Sequence, residues 1–229
     1  MTGWSAADVA VVLLSLKVAL AGTIVSLPFA MAVAAVLARG RFWGRGILNA
    51  LVHLPLVLPP VVTGYLLLRV FGRQGAVGEW LEAWFGVTFA FRWTGAAIAA
   101  AVMGFPLMVR AIRLAIENVD HRVEEAAATL GASPLWTLAV VTMPMALPGI
   151  LSGMVLAFAK ALGEFGATIT FVSNIPGETQ TLALAIYSFI QTPGGDASAI
   201  RLVWLSVAIS FAALLASEAL AHRLDRRRR

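Results

Sequence analysis

The chain has no cysteine, which excludes disulfides, thiol chemistry and cysteine-bound metals. It is also poor in charge. Only 13% of its 229 residues are Asp, Glu, Lys or Arg, where a soluble domain carries about 25%. Half the usual charge means that most of the surface does not face water. No Lys or Arg precedes the first apolar run, so residues 1–8 lack the positive stretch that opens a cleavable signal peptide. The phosphate-binding pattern G-x-x-x-x-G-K-[ST] is missing too. His53, His121 and His222 are isolated from one another, and with no cysteine and no second histidine nearby a metal site is not expected.

What is present is apolar. Hydrophobic residues make up 60% of the chain, and the mean hydropathy is +0.87. A helix needs about 20 mostly apolar residues to cross the hydrocarbon core. Five stretches qualify, at residues 9–38, 47–71, 94–109, 148–172 and 200–221. The third is expected to run on toward Ile116, carrying Arg110 and Arg113 at its wet end. The fold class expected is an all-α integral membrane protein, with residues 1–229 forming one transmembrane domain.

The charges that remain are mostly basic and clustered. They give a net charge of +5 and a pI near 10.7. Arg39, Arg41 and Arg45 form one group, Arg110, Arg113 and Arg122 a second, and Arg223 with Arg226 to Arg229 a third. Nucleic acid binding is one reading of such a balance. Basic loops on the cytoplasmic side of a membrane explain it better. Alternation then places the N-terminus outside and the C-terminus inside. Residues 39–46 and 117–143 face the cytoplasm, and 72–93 and 173–198 face out. Within 173–198, Leu182, Ile186, Phe189 and Ile190 recur at helical spacing before Pro193-Gly194-Gly195 breaks the chain. A short helix at the outer face is expected. A re-entrant sixth span over 178–191 is the rival.

Residues 120–148, DHRVEEAAATLGASPLWTLAVVTMPMALP, read as two short helices joined by a tight turn. Asp120 suits an N-cap, with Glu124 and Glu125 at the positive helix end. Val123, Ala126, Ala127 and Leu130 share one face. Gly131 can take the left-handed conformation that ends a helix. Ser133 can cap the next helix, with Pro134 in its first position. A face of small residues allows close approach by another protein. Packing against the chain's own bundle is the alternative, and spacing does not decide between them.

Glu125-Ala126-Ala127, Gly131 and then Val141-x-Met143-Pro144 resemble the EAA loop of permeases in ABC importers, whose pattern is E-A-A-x-x-x-G, nine residues, then I-x-L-P. Val and Met stand here for Ile and Leu. The resemblance implies that residues 117–144 form a coupling loop. In it Glu125, Ala126, Ala127, Leu130 and Gly131, with Ser133 and Pro134 at the second helix, would seat in a separate cytoplasmic ATPase. ATP and Mg would be bound by that partner and no cofactor by this chain, which would not itself be an enzyme.

Leu54-Pro55-Leu56-Val57-Leu58-Pro59-Pro60-Val61-Val62-x-Gly64-Tyr65 and Leu162-Gly163-Glu164-Phe165-Gly166-Ala167-Thr168 look like the molybdate and sulfate branch of these permeases. The run from Phe171 to Thr179 and Gln191-Thr192-Pro193-Gly194-Gly195 look closer to bacterial molybdate permeases. The resemblance implies a pair of permease chains in the inner membrane, an ATPase dimer beneath them and an external oxyanion-binding protein. The expected function is molybdate import by alternating access, with sulfate or tungstate as alternative cargo.

Thr63, Gly64, Thr168 and Thr170 are candidates for the pathway, although small residues also pack helices together. Lys160 and Glu164, four apart in the fourth span, are either a structural pair or part of a gate. Lys17 in the first span can snorkel, meet a second copy or lend the path a positive field. A secondary transporter is the rival class, yet no second copy of the Pro-rich second span is found. A membrane enzyme would need a nucleophile with a base or a metal pair, and neither is evident.

Overall fold

The computed structural model describes residues 5–226, with side chains as far as Leu215. Arg227 to Arg229 of the basic tail lie outside the described residues. Helix α1 (Ala6–Arg39) opens with a reciprocal cap. The Asp8 N–H donates to Ser5 Oγ and the Ser5 N–H to the Asp8 carboxylate, each at 3.1 Å. Arg201 closes on Asp8 at 3.4 Å, tying this end of α1 to the last helix.

The second span is bent. Helix α2 (Arg45–Val57) and α3 (Pro60–Phe71) meet at 112°. Pro59 and Pro60 cannot donate backbone hydrogen bonds and hold the residues before them extended, so the helix stops and restarts. Helix α4 (Ala76–Phe85) follows, inside a segment where the sequence suggests only a loop.

Helix α5 (Trp93–Glu117) is the centre of the bundle and runs beyond Val109 to Glu117. Its stripe of Gly95, Ala96, Ala97, Ala99, Ala100 and Gly104 is buried. Small residues let backbones approach. A Cβ added to Gly22 of α1 would lie 2.7 Å from the Ala97 carbonyl oxygen.

The segment expected to form a coupling loop comprises α6 (His121–Thr129) and α7 (Pro134–Thr137). It continues through a wide π-type turn (Leu138–Thr142) and α8 (Met143–Met145). Helix α9 (Leu147–Leu162) then enters the bundle. The expected fourth span is not continuous, because α9 ends at Leu162 and α10 (Gly166–Val172) begins after a break. Helix α11 (Leu182–Ile190) and the long α12 (Asp196–Arg226) complete the chain.

Among the described residues three helices (α1, α5 and α12) are long and apolar enough to cross a membrane, and bent pairs raise the count to five. Large apolar side chains cover the outside of the bundle, among them Leu13, Ile24 and Phe29 of α1, Tyr65 of α3, and Trp204 and Phe211 of α12. Water would not tolerate such a surface, and lipid does. The nine residues of α11 rise only about 14 Å, too little to cross the hydrocarbon. Its Leu182 and Ala185 pack with Val11 and Leu202, and the Leu182 N–H donates to Ser15 Oγ at 2.7 Å. The segment is therefore a short helix dipping between α1 and α12.

Candidate coupling surface and pathway

The loop forms by local chemistry. Asp120 caps α6 by accepting from the Arg122 N–H at 2.9 Å. The chain then leaves α6 through Gly131 at φ +86. The Ala132 N–H donates to the Ala127 carbonyl at 3.1 Å and the Gly131 N–H to that of Ala128 at 3.0 Å, the two bonds of a Schellman ending. Ser133 Oγ accepts from the Trp136 N–H at 3.3 Å, with Pro134 opening α7. No residue of α6 is buried. The small-residue face is therefore not packed on the chain's own bundle. Val123, Ala126, Ala127, Leu130, Trp136 and Val141 line an open cleft of about 650 Å3. Leu130 is 89% exposed at its rim. An exposed apolar cleft of this kind is a candidate interaction surface.

A Cβ added at Gly131 meets nothing within 4 Å, so substitution there strains only the backbone. We expect Gly131→Ala to destabilise the turn by about 1 kcal/mol. Its check is hydrogen exchange at the Gly131 and Ala132 amides, which should quicken in the variant.

One carboxylate joins this loop to the spans. Glu124 Oε1 accepts from Arg39 Nη2 at 3.1 Å and from the Thr142 hydroxyl at 2.6 Å. The same Arg39 Nη2 donates to the Ile116 carbonyl at 2.8 Å. The ends of α1 and α5, the start of α6 and the π-type turn are thus held at a single point. In the sequence Glu124 reads only as an acid in a first turn, and Arg39 only as one of a basic cluster. They lie 85 residues apart, and spacing does not report such a pair.

The two broken segments cross each other. A Cβ on Gly64 of α3 would lie 2.5 Å from the Ala167 carbonyl oxygen and 2.9 Å from Thr170 Cβ on α10. One on Gly166 would lie 2.7 Å from Pro60 Cβ. Gly64 and Thr170 therefore meet where α3 crosses α10, and Thr63 and Thr168 lie on the same two helices. Thr63 is buried with its hydroxyl unpartnered, and Thr168 is buried as well. Thr170 donates to its own helix at Gly166. Gly64 serves close packing here. We expect Gly64→Val to cost about 1–3 kcal/mol through overpacking, read as a lower melting temperature in detergent.

Lys160 and Glu164 do pair, across the end of α9. The other oxygen of Glu164 accepts from the Ala167 N–H at 3.0 Å, so this carboxylate caps α10. It bridges the break and is itself buried. Lys17 lies 3.6 Å above the Trp93 ring, a cation–π contact that answers the question of its partner.

Set against known proteins, residues 26–229 match the family described as binding-protein-dependent transport system inner membrane component. The chain belongs to this family.

Its relatives include the molybdenum transport system permease protein ModB of Escherichia coli strain K12. The two are 58% identical over 95% of this chain and 94% of that one. The protein of the same name from Haemophilus influenzae is 52% identical over 96% of each. A solved bacterial ABC transporter involved in import of the acidic polysaccharide alginate superposes with a TM-score of 0.74 at 16% identity. It covers 96% of this chain and 80% of that one, and it establishes the fold. The inner membrane component is thus an integral membrane permease subunit with the importer fold.

Proposed function

We propose that this inner membrane component carries molybdate inward by alternating access, driven by a separate ATPase through residues 117–144. The observation that carries the coupling half is the exposed cleft between α6 and α7, anchored to α1 and α5 by Arg39 and Glu124. A face with no partner inside its own chain, fixed rigidly to the spans, suits the transmission of a partner's motion. Glu125, Ala126, Ala127, Leu130, Gly131, Ser133 and Pro134 form that seat, and the ATPase supplies ATP and Mg. The cargo half rests on the relatives named for molybdenum transport.

The rest of the assembly follows from the same reading. The loop end gathers Arg39, Arg41, Arg45, Arg110, Arg113 and Arg122, so it faces the cytoplasm by the positive-inside rule. The N-terminus is then outside and the C-terminus inside. The single domain 1–229 pairs with a second copy, and a binding protein delivers the oxyanion at the outer face. Thr63, Gly64, Thr168 and Thr170 lie on the two broken segments that cross. Lys160 and Glu164 set the geometry of one break. Together they are the part of the pathway able to open.

The test of cargo is competition in proteoliposomes holding permease, ATPase and binding protein. Uptake of labelled molybdate should be displaced by unlabelled molybdate and tungstate, and only weakly by sulfate. Displacement by sulfate alone would move the chain to sulfate import.

A further inference from the structure

The middle of α2 and the end of α5 form an open cavity, ringed by polar side chains with Arg110 exposed at it, that the cleft of α6 and α7 and the crossing of broken segments do not use. It holds about 350 Å3 and is lined by Asn49, His53, Arg110, Arg113, Leu114 and Glu117. Liquid water occupies about 30 Å3 per molecule, so an ion could enter with part of its hydration shell.

Its charges do not balance. Arg113 Nε donates to Glu117 Oε1 at 2.8 Å, and Arg45 reaches the same oxygen at 3.6 Å. Arg113 also donates to Asn49 Oδ1 at 3.0 Å. Arg110 has no hydrogen-bond or ion-pair partner among the described residues, while Arg39, Arg45 and Arg113 each meet a carboxylate. Glu117 is thus shared by Arg113 and by Arg45 from beside the cavity, and Arg110 is the lining guanidinium with no carboxylate of its own. Of the neutral groups, Asn49 points the same way. Asn49 spends its oxygen on Arg113, which leaves its amide N–H groups free to donate. His53 Nδ1 donates to the Asn49 carbonyl at 2.8 Å, which fixes the ring at the wall.

A cavity rich in donors, with excess positive charge and a planar guanidinium to spare, matches a tetrahedral oxyanion. One unneutralised arginine in a hydrated space attracts an anion without trapping it, as a transit site requires. We infer that this cavity is an oxyanion site on the coupling-loop side of the membrane, with Arg110 as its principal contact. As a step in transport this rests on the importer reading above. A phospholipid phosphate presents the same tetrahedral oxygens and is the other source of this chemistry.

The test is equilibrium dialysis of labelled molybdate, and separately of labelled sulfate, against the detergent-solubilised complex of permease and ATPase without binding protein. Arg110→Gln should weaken binding about tenfold, the change carried by one charge-assisted contact. Arg110→Lys should recover most of it. Retained co-elution with the ATPase and an unchanged melting temperature show that each variant is folded. Equal binding by native and Arg110→Gln complexes would overturn the inference. So would loss of a tightly bound phospholipid from Arg110→Gln, counted as lipid phosphorus per complex, with oxyanion binding unaltered. Uptake by native vesicles judges the importer reading separately. Binding without uptake sinks that reading and leaves the cavity, and uptake without Arg110-dependent binding does the reverse.

Discussion

Ala127→Trp should strip the ATPase from the purified complex. Ala127 sits on the exposed face of α6 with Ala126 and Leu130, lining the open cleft. An indole there fills the space into which a partner must fit. Misfit at the centre of a packed interface removes about 2–4 kcal/mol of binding, and an assembly with two permease copies suffers it twice. At least a tenfold loss of co-purified ATPase follows. The permease itself should be unaffected, because no residue of α6 is buried. Glu125→Arg, which reverses an exposed charge on the same helix, should act in the same direction. Tagged chains purified from detergent and assayed for accompanying ATP hydrolysis supply the measurement. Normal recovery of the ATPase with both variants would remove α6 from the interface.

The second large effect should come from Arg39→Ala, and it should look different. Arg39 lies outside the cleft, so the ATPase should stay bound. What is lost is the point where Glu124, Thr142 and the Ile116 carbonyl meet. Both ionised partners are mostly shielded, with side chains 23% and 17% exposed. Hydrogen bonds to charged groups of this kind are worth about 1.5–3 kcal/mol. Without them the loop can move while α1 and α5 stay still. Hydrolysis should continue while uptake falls toward background. Glu124→Gln should give a milder form of the same defect, since an amide oxygen can still accept from Arg39. The double variant should be no worse than Arg39→Ala alone, because both act on one contact. Loss of hydrolysis together with uptake would instead assign Arg39 to the docking surface or to folding.

Features governed by neighbours in the chain are legible in the sequence. The Asp120 cap, the turn at Gly131 with φ +86, and Ser133 followed by Pro134 each depend on a few adjacent residues. So does the interruption at Pro59 and Pro60, although its 112° bend does not. The break between α9 and α10 is hidden, because Gly163 and Phe165 look unremarkable in an apolar run. It depends on Glu164 turning its carboxylate to the Ala167 N–H and Lys160.

Contacts between distant residues are the least visible. Arg39 with Glu124, Lys17 with Trp93, and Asn49 with Arg113 are set by the packing of whole helices. Helix α4 does carry a periodic signal, with Val77, Trp80, Leu81, Trp84 and Phe85 at helical spacing, but its ten residues are too few to span a membrane and fall between two spans. The pathway candidates Thr63, Gly64, Thr168 and Thr170 stand in the sequence as small residues of two separate spans. Only the crossing of α3 over α10 shows that Gly64 meets Thr170.

The central claim is that a separate ATPase moves this permease through its loop, and vesicle uptake tests it most directly. Permease and ATPase are reconstituted together, with molybdate-loaded binding protein on one side and ATP on the other. Molybdate accumulation should require hydrolysable ATP, stop with a non-hydrolysable analogue, and persist when proton and sodium gradients are collapsed. Uptake that ignores ATP and follows an ion gradient would contradict the account and make the chain a secondary transporter.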